Sequence, residues 1–358
     1  MVSVSYAQDM ARETGDRAPR ARKLFLLLVI GVVGMSVLAL GTGASGVAVG
    51  DLILNLARGE DVALRDHVVL FDIRLPRLAM GLLVGAALAV SGALMQGLFR
   101  NPLADPGLVG VGAGAGLGAV LAIVIGGLLP VGIASVIGLH LVPFAAFLGG
   151  WGATILLYAV SSRQGRTSVA TMLLAGIALG ALAGAATGIL IYIADDRQLR
   201  DLTFWGMGSL GGASWHKIAM ATPLILPVLL LSPMLGRGLN MLALGEAAAL
   251  HAGIEVERVK TLTILCVAAA TGAAVAIAGG IGFIGIVVPH LLRLAVGPDH
   301  RFLLPNAALL GAILLVGADI IARLVVTPAE LPIGIVTAVL GAPVFLFILL
   351  RSRGVMDL

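Results

Sequence analysis

The chain has 358 residues, 59% of them hydrophobic and 12% charged, with a formal net charge of +4. A soluble domain carries about 25% charged residues and has no place for so many apolar runs of about 20 residues. Composition therefore excludes an ordinary soluble fold and predicts an all-α, polytopic membrane protein, and the 49 glycines suit membrane helices whose backbones approach closely.

In chain order, residues 1–22 form a polar, basic tail. The apolar stretch after Lys23 is long enough to span a membrane and lacks a small-residue cleavage exit, so it reads as an uncleaved first helix. The predicted spans are 24–42, 78–98, 107–128, 131–160, 169–193, 217–235, 261–280, 283–296, 302–322 and 331–350. Residues 261–296 as one helix would reach about 54 Å, well past a ~30 Å hydrocarbon core, and "GGIG" at 279–282 is the natural break. Residues 107–160 likewise need two spans, with a turn at Pro130 and its Gly neighbours. An extra turn is expected near Pro143. About ten transmembrane helices put both termini on one side. Fifteen of the 23 Lys and Arg residues fall on that side, which predicts cytoplasmic termini. The membrane domain covers 23–351, and 352–358 is a short cytoplasmic tail. The outer segments are 43–76 and 194–216.

Several stretches carry possible chemistry. "RLPR" (74–77) sits where the second span begins. Pro76 suits a helix start, and the two arginines are either a solvated helix end or a basic docking spot. The Gly-rich 107–120 lacks the preceding strand and acidic partner of a nucleotide loop, so close helix packing is expected. The outer segment 194–216 mixes charges with Phe204, Trp205 and Trp215. An interfacial amphipathic helix, a lid and a plain aromatic belt all fit it. Asp319 and Arg323 are four apart, hence on one helix face and able to pair. His216 reads as a helix start at the membrane surface.

A polar island, "ALGEAAALHAGIEVERVK" (243–260), separates two apolar runs. It reads as two short helices joined at "HAG", lying under the membrane with an apolar face that suits a bound partner. There is no phosphate-binding loop: Lys260 is followed by Thr261, but Val259 precedes it and the glycines are missing. The histidines show no metal-ligand spacing, no Ser/His/Asp grouping stands out, and Cys266 is the single cysteine. An enzyme is not expected, nor is a nucleic-acid partner.

"RLPRLAMGLLVGAALAVSGALMQGLFRNPLADPGLVGVGAGAGLGAV", "LALGEAAALHAGI", "IGFIGIVVPHLLRLAVGPDHRFLLP" and "GADIIAR…AELPIGIVTAVLGAPVFLFILL" resemble the permease family of ATP-binding-cassette importers for iron-siderophores, haem and cobalamin, over about residues 70–351. The resemblance implies ten helices per subunit and a homodimer in the bacterial inner membrane, with two separate cytoplasmic ATPase subunits that use ATP and Mg and one periplasmic binding protein. No cofactor is permanently bound. It implies that Gly245, Glu246, Ala249 and Gly253 belong to an ATPase-coupling helix. Arg74, Arg77 and Arg323 would dock the binding protein. Asn101 and Leu103 of "NPLA", with Ser168 of "SVA", match the cytoplasmic gate, although "SVA" keeps only one hydroxyl of the family's second gate element. The segment 194–216 is similar to that of the haem-importing branch, so haem is the expected cargo. Ferric siderophore and cobalamin are the alternatives within the family, and an ion-coupled secondary transporter is the alternative outside it.

Overall fold

The computed structural model describes residues 17–43, 58, 63–127, 131–163, 166–327 and 329–356. The chain is a bundle of helices in the order α1 (Ala18–Gly41), α2 (Leu64–Val68), a π-helical segment (Val69–Arg74), α3 (Leu75–Phe99), α4 (Val111–Gly126), α5 (Val131–Ser161), α6 (Val169–Ile193), α7 (Asp196–Gly206), α8 (Trp215–Ala243), α9 (Glu246–His251), α10 (Val256–Ala278), α11 (Ile284–Val296), α12 (His300–Leu324) and α13 (Ile333–Met356). A hairpin of two-residue strands, β1 (Ser162–Arg163) and β2 (Arg166–Thr167), joins α5 to α6. Among the described residues, seven helices are long and apolar enough to cross a membrane. Three shorter apolar helices, Val111–Gly126, Ile284–Val296 and Ile333–Phe347, stand at the other three predicted places.

α3 and α10 run through the middle of the bundle, whereas α1 and α6 expose most of their apolar surface. α12 and α11 both pack against α3, and α4 packs against α5. Glycine makes each of these contacts possible. A methyl group on Gly92 of α3 would fall 1.9 Å from the Gly285 carbonyl oxygen of α11. One on Gly85 would fall 2.4 Å from the Gly311 oxygen of α12, and one on Gly114 of α4 would fall 2.4 Å from the Gly149 oxygen of α5. Lipid tails are as apolar as leucine, so close van der Waals packing has to supply what the hydrophobic effect supplies in water. The Gly-rich stretch at 107–120 is therefore a packing seam.

The helix boundaries depart from the sequence reading in three places. The second span does not start at Pro76: the chain is already helical from Leu64, and the π-helical segment carries it into α3 without a stop. Proline removes an N–H from the regular ladder, and a wider π turn just before it accommodates that loss. No extra turn forms at Pro143, which lies inside continuous α5. The second half of the polar island is not a separate helix. Val256 begins α10 directly, so the only short helix there is α9. The break at 279–282 is present. The expected turn at Pro130, the tail up to residue 16 and most of the 43–62 segment lie outside the described residues.

Candidate functional site

Two polar clusters sit at opposite ends of the bundle. At one end lie the three arginines expected to dock a partner. Arg77 donates through Nε and Nη2 to the Asp319 carboxylate of α12, at 3.0 and 2.9 Å for the shared Oδ1, and through Nη1 to Glu330 at 2.7 Å. Arg323 bridges to the same Asp319 at 3.1 Å and donates to the Thr42 carbonyl just after α1 at 2.9 Å. Arg74 is buried and donates to the Leu40 carbonyl. The three guanidinium groups thus converge on the end of α1 and on one buried carboxylate. Asp319 and Arg323 do pair along their helix face, and Arg77 is a second partner that no spacing rule could find, because it lies 242 residues away.

At the other end the expected coupling residues form α9 and its flanks. Gly245 caps α9 at φ 111°, and Gly253 closes the turn after it at φ 77°. L side chains rarely adopt such values, which is why both positions are glycine. Ala249 is fully buried at the face against the bundle, while Leu244 and Leu250 are exposed. Glu246 opens α9, and its carboxylate accepts from Lys260 Nζ of α10 at 2.8 Å. Lys260, which the sequence reading dismissed along with the missing phosphate loop, is only 2% exposed.

The expected gate residues shape two turns. The Asn101 side-chain oxygen accepts from the Leu103 N–H at 2.9 Å, which holds the "NPLA" turn after Arg100. The Ser168 hydroxyl caps α6, accepting from the Thr171 N–H at 3.2 Å. Asp299 caps α12. Burial opposes its ionisation, but hydrogen bonds from Arg301 and Asn240 outweigh that and lower the carboxyl to about 2.

A cavity of about 440 Å³ opens where the α3–α4 connection meets the α10–α11 break, lined by Asp105, Trp205, Thr271, Ile281 and Gly285 among others. Gly285 rests against Leu88, near the midpoint of α3, and against Gly92, so the α10–α11 break and the α3–α4 connection beside it reach into the bundle. Irregular backbone is tolerated at that depth only when it is buried in protein or lines a cavity. Asp105 was missed in the sequence reading, although an acid in "NPLADPG" amid apolar neighbours was a visible signal. Within segment 194–216, α7 is opened by a reciprocal capping box between Asp195 and Gln198. It packs Trp205 against the bundle and exposes Phe204. His216 lies in the first turn of α8 with its ring 4.3 Å from that of His140. Among the described residues no cluster of three or more His, Cys, Asp or Glu could hold a metal ion.

A multi-pass helical bundle with broken helices around a cavity, and with a short exposed helix at one end, has the architecture of a membrane transport subunit, and its relatives place it in the ATP-binding-cassette importer class. The chain belongs to the FecCD transport family, which it matches over residues 36–351. It is 45% identical over 341 residues to the hemin transport system permease protein HmuU of Yersinia pestis, covering 95% of this chain and 98% of that one. It is also 45% identical over 300 residues to the vitamin B12 import system permease protein BtuC of Klebsiella pneumoniae, covering 83% and 86%. Among solved structures it is similar to a metal-chelate type ABC transporter in an inward-facing conformation, with a TM-score of 0.79 and 32% identity, covering 94% of this chain and 100% of that one.

Proposed function

We propose that the chain is the membrane subunit of an ATP-driven haem importer. One observation carries the choice of cargo. The likeness to the hemin permease runs over 95% of the chain, whereas the likeness to the vitamin B12 permease, at equal identity, stops at 83%. The subunit works as a homodimer in the bacterial inner membrane, with both termini in the cytoplasm. Two copies of a separate ATPase bind at α9 through Gly245, Glu246, Ala249 and Gly253. One periplasmic binding protein docks at the end that carries Arg74, Arg77 and Arg323. Cargo passes by alternating access, with Asn101, Leu103 and Ser168 at the inner gate. The absence of a phosphate loop from the sequence supports a motor on another chain.

Reconstitution with the partner ATPase and binding protein tests this. Haemin should accumulate in liposomes only when ATP and Mg are enclosed with the ATPase. Uptake without nucleotide would overturn the mechanism, and uptake of cobalamin or a ferric siderophore in preference to haemin would reassign the cargo. The alternative of ion-coupled transport needs a free titratable group in the membrane. Asp319 is held between two arginines, which weighs against it, and dissipating the proton gradient should leave uptake unchanged.

A further inference from the structure

Lys260 stands where three segments of chain meet. Its Nζ donates to Glu246 Oε2 of α9 at 2.8 Å, to the Thr167 carbonyl of β2 at 2.9 Å, and to Glu257 Oε1 in the first turn of α10 at 3.0 Å. An ammonium has three protons to give, and here each has a separate acceptor. The other oxygen of Glu257 accepts from the Thr167 N–H at 2.8 Å, so both backbone groups of Thr167 are held by this pair of side chains. Thr167 pairs with Ser162 across the hairpin, and their hydroxyls lie 2.9 Å apart. The next residue is Ser168, the cap of α6.

We propose that Lys260 is the positioning residue that transmits movement of α9 to the β1–β2 hairpin and from there to the start of α6. The proposal rests on the reading of α9 as the contact for the ATPase. α9 has only six residues, and helices that short do not persist without tertiary support. Ala249 and the Glu246 ion pair tie it to the bundle. An exposed ion pair would give way easily, because water screens it. Lys260 is enclosed, and a buried charge that loses a partner is penalised heavily. The three acceptors therefore move as a unit with the ammonium. Glu246 remains 43% exposed, so a motor pressing on α9 reaches one arm of the cluster while the other arm holds the residue before the gate serine.

The test uses the assembled transporter with its ATPase and binding protein. The variants are Lys260→Met, Lys260→Arg, and the neutral triple Lys260→Met with Glu246→Gln and Glu257→Gln, which removes the buried charge as well as the link. Cargo moved per ATP hydrolysed is read with haemin, or with cobalamin if that is what the wild type moves. Lys260→Met and the triple should lower the ratio at least fivefold while hydrolysis continues, and Lys260→Arg should restore it to within twofold. Spin labels at Leu250→Cys and Arg163→Cys, on a Cys266→Ser background, should keep one sharp separation with and without nucleotide, and that separation should broaden in the triple. A wild-type ratio in both Met-bearing variants, or an unbroadened separation in the triple, would overturn the proposal. Leu250→Asp separates this from failure of the underlying reading. If the ATPase still co-purifies with that variant, α9 is not its contact. If the ATPase is lost there and the Met variants still couple fully, only the role of Lys260 falls.

Discussion

Arg77 and Asp319 lie 242 residues apart in the chain and share a two-point ion pair, with Arg77 Nε 3.0 and 3.1 Å from the two carboxylate oxygens. Both side chains are largely enclosed. The same carboxylate balances Arg323, so one acid holds two cations at the end of α1. Asp319→Asn should destabilise the fold by about 3 kcal/mol, the scale for breaking a buried pair, and thermal unfolding in detergent measures it. An unchanged melting temperature would mean that Glu330 and the backbone carbonyls suffice for the arginines.

If Arg77 docks an acidic partner, Glu330 competes for it. The Arg77 Nη1 contact to Glu330 is 2.7 Å, and Glu330 is 43% exposed on its side chain. Glu330→Gln should strengthen binding-protein affinity roughly fivefold at low salt, on the ~1 kcal/mol scale of an accessible ion pair, with the gain shrinking at high salt. Equal affinities of the variant and wild type at low ionic strength would remove Arg77 from the docking surface.

The glycines separate into those that seat helices and those that do not. Gly92→Ala places a methyl 1.9 Å from the Gly285 carbonyl oxygen, so α3 and α11 must part, at a cost of about 1–3 kcal/mol. Gly116→Ala meets nothing within 4 Å and should be neutral or stabilising by up to about 1 kcal/mol through helix propensity. Melting temperatures of the pair decide the point, and equal losses would contradict the seam.

Gly245→Val should impair α9, because φ 111° strains a β-branched residue by about 1–3 kcal/mol. Co-purification of the ATPase should fall while the melting temperature of the bundle barely changes. Full co-purification would show that α9 tolerates a different cap.

Asp299 should contribute a distinct acid limb to stability. Its carboxyl is lowered from the ordinary 3.8 to about 2. A carboxyl with a depressed folded-state value stabilises the fold fully above its unfolded value and loses that contribution as pH falls. The loss should therefore run from about pH 4 to about pH 2, and Asp299→Asn should abolish it. Melting temperature against pH for the two proteins, with coincident profiles below pH 4, would contradict this.

Much of the architecture was legible because lipid imposes length. A helix must fill a ~30 Å core, so seven of the ten places and the break at "GGIG" followed from counting, whereas the other three places hold shorter apolar helices. What counting could not locate was any boundary set by a neighbour. The helix expected over "IEVERVK" is present, but it runs on into the next span as α10, where Lys260 is held by β2 and α9, and nothing local marks that. Pro76 looks like a helix start, yet the chain on its N-terminal side is already wound, through a π turn that sequence periodicity does not signal. Of the site residues, Gly245 and Gly253 were readable, since a positive φ leaves a glycine in the sequence. Asp105 was present but had no visible partner.

The sequence by itself determined the class: an all-α membrane bundle of the FecCD kind, with no phosphate loop and with a polar island between two spans. Apolar run length, glycine content and motif order are properties of the chain alone. Only the tertiary structure decided what the charges do. It drew Arg77 onto Asp319, enclosed Lys260 among Glu246, Glu257 and Thr167, and brought two helix breaks together around Asp105. In a low-dielectric interior a charge must find a partner wherever the fold supplies one, whether three residues away, as Glu257 is from Lys260, or 242, as Asp319 is from Arg77.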